Sequence, residues 1–177
     1  NGLPLLAEVV RYGDSYVSLQ ATAVAPVVAL PTTTAQVSLW NGEPDGGKCY
    51  AIDSLICTVV VSAAAATSLA FAGMLNTGRL AQPSGSTLTP KGLSGQVYRG
   101  RGKVILAATV VDDLWHPVGT SVPGPASQIG HSLDQPVGGL YLVPPGHLFS
   151  VAILANTVTT ITVKMGFRWH EVLLGVA

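Results

Sequence analysis

The stretch from Thr159 to His170 alternates strictly. Its odd positions are Thr159, Ile161, Val163, Met165, Phe167 and Trp169; its even positions are Thr160, Thr162, Lys164, Gly166, Arg168 and His170. Successive side chains of a strand point to opposite faces, so this pattern predicts a strand with one buried face. Helical spacing, with apolar positions three and four apart, does not fit. The same pattern recurs near the start, where Val17, Leu19, Ala21 and Ala23 alternate with Ser18, Gln20 and Thr22. It returns where Ala35, Val37 and Leu39 alternate with Thr34, Gln36 and Ser38.

Other runs are apolar on both faces: Ile52–Val61, Val104–Val111 and Leu148–Leu154. These suit strands covered on both faces. Turn residues separate the runs. Asn41 to Gly47 is a loop, Asn76-Thr77-Gly78 ends the Leu69–Leu75 run, and Pro144-Pro145-Gly146 makes a corner between Leu140–Val143 and Leu148–Leu154. Asn156-Thr157 is expected to join the last two strands as a hairpin. Gln82–Gly95 and His116–Gly139, rich in Gly, Pro and Ser, read as long irregular segments of the kind that are functional or packed on a partner. Ser54–Gly78 carries no charge, but Thr58, Ser62, Thr67, Ser68 and Asn76 interrupt it. It reads as two strands joined by a small-residue turn at Ala63–Ser68, not as a membrane span. Strands alternating with Gly/Pro turns predict an all-β protein. The expected form is an antiparallel β-sandwich of the jelly-roll type, with about eight to ten strands and extended terminal arms. Residues 1–14 form the N-terminal arm, with a short amphipathic helix possible in Pro4–Tyr12, and residues 15–177 form a single domain.

Composition changes the picture. Of the 177 residues 48% are hydrophobic and only 10% charged, where about 25% charge is usual. A surface this poor in ions must be coated with neutral polar groups or covered by other subunits. The formal net charge is zero, which promotes association and excludes a broad nucleic-acid surface. Asn1-Gly2-Leu3-Pro4 lacks the basic start of a signal peptide, so the chain reads as processed or as beginning late. Cys49 and Cys57 on one strand would stand roughly 26 Å apart at about 3.3 Å per residue, too far for a disulfide. Both are expected to be free, buried thiols.

Candidate chemistry is sparse. His116, His131, His147 and His170 are scattered, and His170-Glu171 points its two side chains to opposite faces of a strand. Asp112-Asp113 diverge in the same way and read as a solvated strand end. Glu43 and Asp45 supply too few carboxylates for a calcium loop. Neither a nucleophile elbow nor a phosphate loop is present. No catalytic residue, cofactor or metal is expected, and the chain reads as a non-enzyme. Trp40, Trp115 and Trp169 make no stacking platform, and Trp169 reads as core. One cluster stands out: Tyr98-Arg99-Gly100-Arg101-Gly102-Lys103 holds three of the nine cations. Alternation places Arg99, Arg101 and Lys103 on one side. That patch is suited either to contact with an acidic partner or to keeping a strand edge soluble.

Three segments carry a resemblance: Trp40–Leu55 (WNGEPDGGKCYAIDSL), Tyr141–Val151 (YLVPPGHLFSV) and the closing Gly166–Glu171 (GFRWHE). Together with the Ala/Val/Thr-rich strands, they resemble small jelly-roll proteins of virus particles, especially the head and decoration proteins of tailed bacteriophages. The resemblance implies a non-enzymatic structural subunit of the virion, present in many copies. It implies partners that are other copies of itself, trimers above all, and neighbouring virion proteins. Terminal arms Asn1–Asp14 and Val172–Ala177 would lie on neighbours. Two alternatives stand beside it: a lectin-like or TNF-like jelly roll that binds a glycan or receptor through its loops, and a cupin-like enzyme, which would need converging His and carboxylate groups.

Overall fold

A computed structural model describes residues 13–61, 67–109, 114–118, 122–124, 132–157 and 160–174. The described residues form thirteen strands and no helix. In chain order they are β1 (Ser15–Leu19), β2 (Val37–Trp40), β3 (Cys49–Val61), β4 (Thr67–Leu75), β5 (Ser86–Leu88), β6 (Lys91–Gly92) and β7 (Lys103–Leu106). Then follow β8 (His116–Pro117), β9 (Val122–Gly124), β10 (Ser132–Pro136), β11 (Leu142–Val143), β12 (Leu148–Ala155) and β13 (Thr162–Val172). The first sheet has the order β10-β3-β13-β1-β6, with β11 also on β3; the second has the order β5-β7-β2-β12-β4-β8, with β9 also on β4. Every paired strand is antiparallel. The two sheets pack face to face as a β-sandwich around one core.

The closing strand supplies the first sheet's inner wall. Val163, Met165, Phe167 and Trp169 are all fully buried, as the alternation predicts. They meet Phe149, Val151 and Ile153 of β12, and Phe149 and Phe167 pack edge to face at 6.0 Å. β3 gains its doubly apolar character from a β-bulge. Trp169 stands opposite Ile52 and Arg168 opposite Ser54, so Asp53 is the extra residue. The bulge reverses the strand's parity. Tyr50 and Ile52 face the core before it; Leu55, Cys57 and Val59 face the core after it. Both cysteines lie on β3, free and buried, as expected. Burial pushes the Cys57 thiol up to about 12, which keeps it protonated.

Several expectations need correction. Long as they are, Gln82–Gly95 and His116–Gly139 contain strands: β5 and β6 in the first, β8, β9 and β10 in the second. These strands are too short for a periodic signal. β1 has the opposite parity to the one expected. Tyr16, Ser18 and Gln20 are buried, whereas Leu19 is 42% exposed. The pairing of Tyr16 with Trp169 sets this face, and Gln20 is satisfied by accepting the Met165 amide at 3.0 Å. β12 and β13 are not a hairpin, because they lie in different sheets and Asn156-Thr157 begins a crossover. Among the described residues of the Val104–Val111 run, β7 ends at Leu106, where Ala107 has φ 54°; Val110 and Val111 lie outside the described residues. Leu140 lies outside β11 and is 75% exposed. Thr67 and Ser68 belong to β4, and Val172 belongs to β13 and not to an arm. The expected helix in Pro4–Tyr12, most of the N-terminal arm, His131 and Asp112-Asp113 lie outside the described residues.

Loop 20–34 closes one end of the sandwich. Val24 bridges to Val163 in the first sheet and Val27 bridges to Leu154 in the second. The buried hydroxyls of Ser38 and Ser150 meet at 2.7 Å, linking β2 to β12. At Gly166 the strands leave no room, since a Cβ there would collide with the Ser18 carbonyl oxygen. Gly166→Ala should therefore lower unfolding free energy by about 1–3 kcal/mol through overpacking. Gly78→Ala, at a position with nothing within 4 Å, should leave the urea midpoint nearly unchanged. Equal effects of the two would refute the close β1–β13 approach.

Candidate functional site

The alternation of β13 does not stop at Trp169. Two residues on, the core-facing position is Glu171, whose side chain is 2% exposed. A carboxyl on the apolar face of a strand must find partners or remain protonated. The Tyr98 hydroxyl donates to Glu171 Oε1 at 3.3 Å. Lys48 Nζ stands 3.5 Å from Oε2 and also bonds Asp14 Oδ1 at 2.6 Å. Tyr16, Tyr98 and Trp169 pack as an aromatic group beneath, with Tyr16 and Tyr98 edge to face at 4.7 Å.

Burial is the larger influence on this group. It outweighs the attraction of Lys48 and, with the repulsion of Glu43, raises the Glu171 pKa to about 7. Burial of the Lys48 ammonium acts downward, but the hydrogen bond and charge of Asp14 and the charge of Glu171 turn the net shift upward. Burial, then the charge of Glu171, raise the Tyr98 hydroxyl well above its ordinary value. Tyr50 is raised by burial first, then by Tyr98 and Glu171. Glu171 therefore exchanges its proton near neutral pH, beside a lysine whose charged form is favoured. It opens onto a cleft of about 370 Å³ lined by Asp14, Glu43, Lys48, Arg99 and Glu171.

The basic cluster lies across this site. Arg99, Arg101 and Lys103 are all exposed and alternate with Gly100, half-buried, and Gly102, buried. The glycines explain the spacing. A Cβ at Gly100 would collide with Glu171 Oε1, and one at Gly102 would sit 2.6 Å from both Tyr50 Cε2 and the Tyr98 hydroxyl. The segment can lie flat on the buried carboxyl and tyrosines only where every second residue lacks a side chain. Arg99 reaches the cleft, while Lys103 opens β7 opposite Trp40. Arg99 and Glu171 were separately visible in the sequence. Their juxtaposition was not, although extending the odd-position count past Trp169 would have put Glu171 inside.

The other titratable groups are dispersed. His116 Nε2 meets the Tyr141 hydroxyl at 2.6 Å, and His147 Nδ1 lies 3.1 Å from the Pro145 carbonyl. His170 Nδ1 contacts Asp53 Oδ1 at 2.7 Å on the opposite face from Glu171. Asp45 pairs with Arg79, and Glu43 lines the cleft. Among the described residues no three His, Cys, Asp or Glu side chains converge on a possible metal position. Among them, too, no helix is long and apolar enough to cross a membrane. No protein-family model, curated protein or solved structure matches the chain.

A carboxyl raised from 4.5 to about 7 on folding holds a proton that the unfolded chain releases. Its contribution to stability is fully present below pH 4.5, declines as pH rises from 4.5 to 7, and is flat above. The expected loss over that window is on the order of 3 kcal/mol. Glu171→Gln should flatten this segment of the stability–pH curve, read from urea midpoints at a series of pH values. An unaltered slope in the variant would show that Glu171 is not the group responsible.

Proposed function

We propose that this protein is a non-enzymatic structural subunit of a virus particle, of the tailed-phage head or decoration type, working as a homo-oligomer with a trimer as the first expectation. The strand order supports a jelly-roll reading. With β5–β7 set aside as an insertion, β1-β13-β3-β10 faces β2-β12-β4-β8, and the chain changes sheet at each step except from β4 to β8 and β9 and from β10 to β11. That path is the one two Greek keys would take, which supports the jelly-roll reading. Capsid proteins and lectins share this architecture, so fold alone does not choose between them.

The observation that carries the reading is an apolar surface at one end of the first sheet. Leu142 of β11 and Leu174, just past β13, line a cleft of about 400 Å³ with Cys49, Pro144 and Pro145, and the Asp45–Arg79 pair and His147 line it too. Leu140, two residues before Leu142, is 75% exposed, while Leu173, 73% exposed, lines the separate cleft at Glu171. In a chain that is 10% charged, leucines grouped in this way mark a contact surface. The Arg99, Arg101 and Lys103 patch is a separate, polar surface suited to an acidic neighbour on the lattice. Leu19, on the outward side of β1, adds a further apolar position.

Sedimentation of the purified chain at micromolar concentration should give an oligomer. Leu140→Asp combined with Leu142→Asp should shift it to monomer with an unchanged far-UV spectrum. Electron microscopy of antibody-labelled particles should then place the chain on a virion surface in regular array. A wild-type chain that sediments as a monomer, or an oligomer indifferent to both leucine changes, would overturn the assembly reading.

A further inference from the structure

The bulge in β3 has a second effect. It brings Asp53 and Ser54, neighbours that a regular strand would point apart, to the same cleft on the outer face of the first sheet. Four adjacent strands contribute to that face: Ser15 from β1, Arg168 from β13, Asp53 and Ser54 from β3, and Asp134 from β10. Bulges commonly mark sites where a side chain is re-aimed for binding. The cleft holds about 370 Å³, within the range of about 300–1,000 Å³ usual for small-molecule sites. Leu93 and Pro136 form an apolar margin.

Its polar groups are fixed in place. His170 Nδ1 holds Asp53 at 2.7 Å, and Arg168 pairs with Asp134. Ser15 and Ser54 are 1% and 6% exposed, and neither hydroxyl has a hydrogen-bond partner. Two orphaned buried hydroxyls on one cleft call for a ligand that supplies donors and acceptors together.

The charges select its class. One guanidinium stands against two carboxylates, one of them held by an imidazole, so a phosphate or other anion is disfavoured. Among the described residues no three metal-ligating side chains converge. We propose that this cleft binds a neutral saccharide. Each sugar hydroxyl both donates and accepts, which matches carboxylates that accept and Ser and Arg groups that donate. The C–H face of a pyranose would lie on Leu93 and Pro136. This reading is independent of the assembly role proposed above.

The test is saturation-transfer NMR and calorimetry on the full chain. The probes are D-glucose, D-galactose and D-mannose at about 50 mM, well above a weak Kd of about 1 mM, and the polymers dextran, galactan and mannan. Saturable binding of a free sugar supports the proposal and marks a monosaccharide site; binding of a polymer alone supports it and marks recognition of a glycan chain. Asp134→Asn and Ser54→Ala should each weaken binding about tenfold. Ser54→Ala removes an unpartnered hydroxyl, so its urea midpoint should not fall, which separates lost binding from lost folding. No binding by any of the six probes, leaving water alone in the cleft, would overturn the proposal. Binding that both variants retain in full would do the same.

Discussion

The pairing of β13 with β3 and β1 is the constraint on which the molecule rests. β13 lies at the centre of the first sheet with a neighbour along each edge, and its parity assigns every other side chain. The inward set runs from Ile161 through Trp169 to Glu171; the outward set includes Arg168 and His170. A shift of one residue would exchange the two. Phenylalanine and tryptophan would then face out, and Arg168 and His170 would enter the core. The burial of Met165, Phe167 and Trp169 holds the register, at about 1.5–3 kcal/mol for each large side chain buried.

That register creates two chemically different surfaces on one strand. On the inner side, Glu171 is carried into a low-dielectric site by its place in the alternation. The strand's apolar burial is large enough to retain a carboxyl there. Tyr98 and Lys48 partner it, and burial still keeps its proton affinity high. On the outer side, the extra residue at Asp53 lets neighbouring positions of β3 act together with Arg168 and His170. One strand therefore positions a proton-holding group and a polar cleft on opposite faces of the same sheet.

Low charge has a different consequence. Several of the described ionic groups are already in pairs: Lys48 with Asp14, Arg79 with Asp45, Arg168 with Asp134. Such pairs leave little ionic repulsion between copies, so apolar positions such as Leu140 and Leu173 meet a weak electrostatic barrier to association. The Arg99 to Lys103 run differs in arrangement. There, glycines facing the tyrosines and Glu171 leave the cations to project outward.

Much of this could be read from the chain. Alternation from Ile161 to Trp169 gave the last strand and its inner face, because period two is a local property that needs no partner. The free state of Cys49 and Cys57 followed from strand rise alone. The outward side of Arg99, Arg101 and Lys103 followed from the same count. Tertiary structure decided what local pattern could not. Tyr16, by pairing with Trp169, turned β1 over and left Leu19 outside, since a weak alternation yields to a stronger neighbour. The bulge at Asp53 depends on register against β13, which has no signature in β3 itself. Crossing from β12 into the other sheet is a choice between distant pairings, so the apparent hairpin signal at Asn156 carried no weight. Glu171 becomes a buried acid, and Gly100 the residue that lies on it, only when segments more than seventy residues apart meet in the folded chain. The sequence by itself determines which faces are apolar; long-range pairing determines what those faces touch.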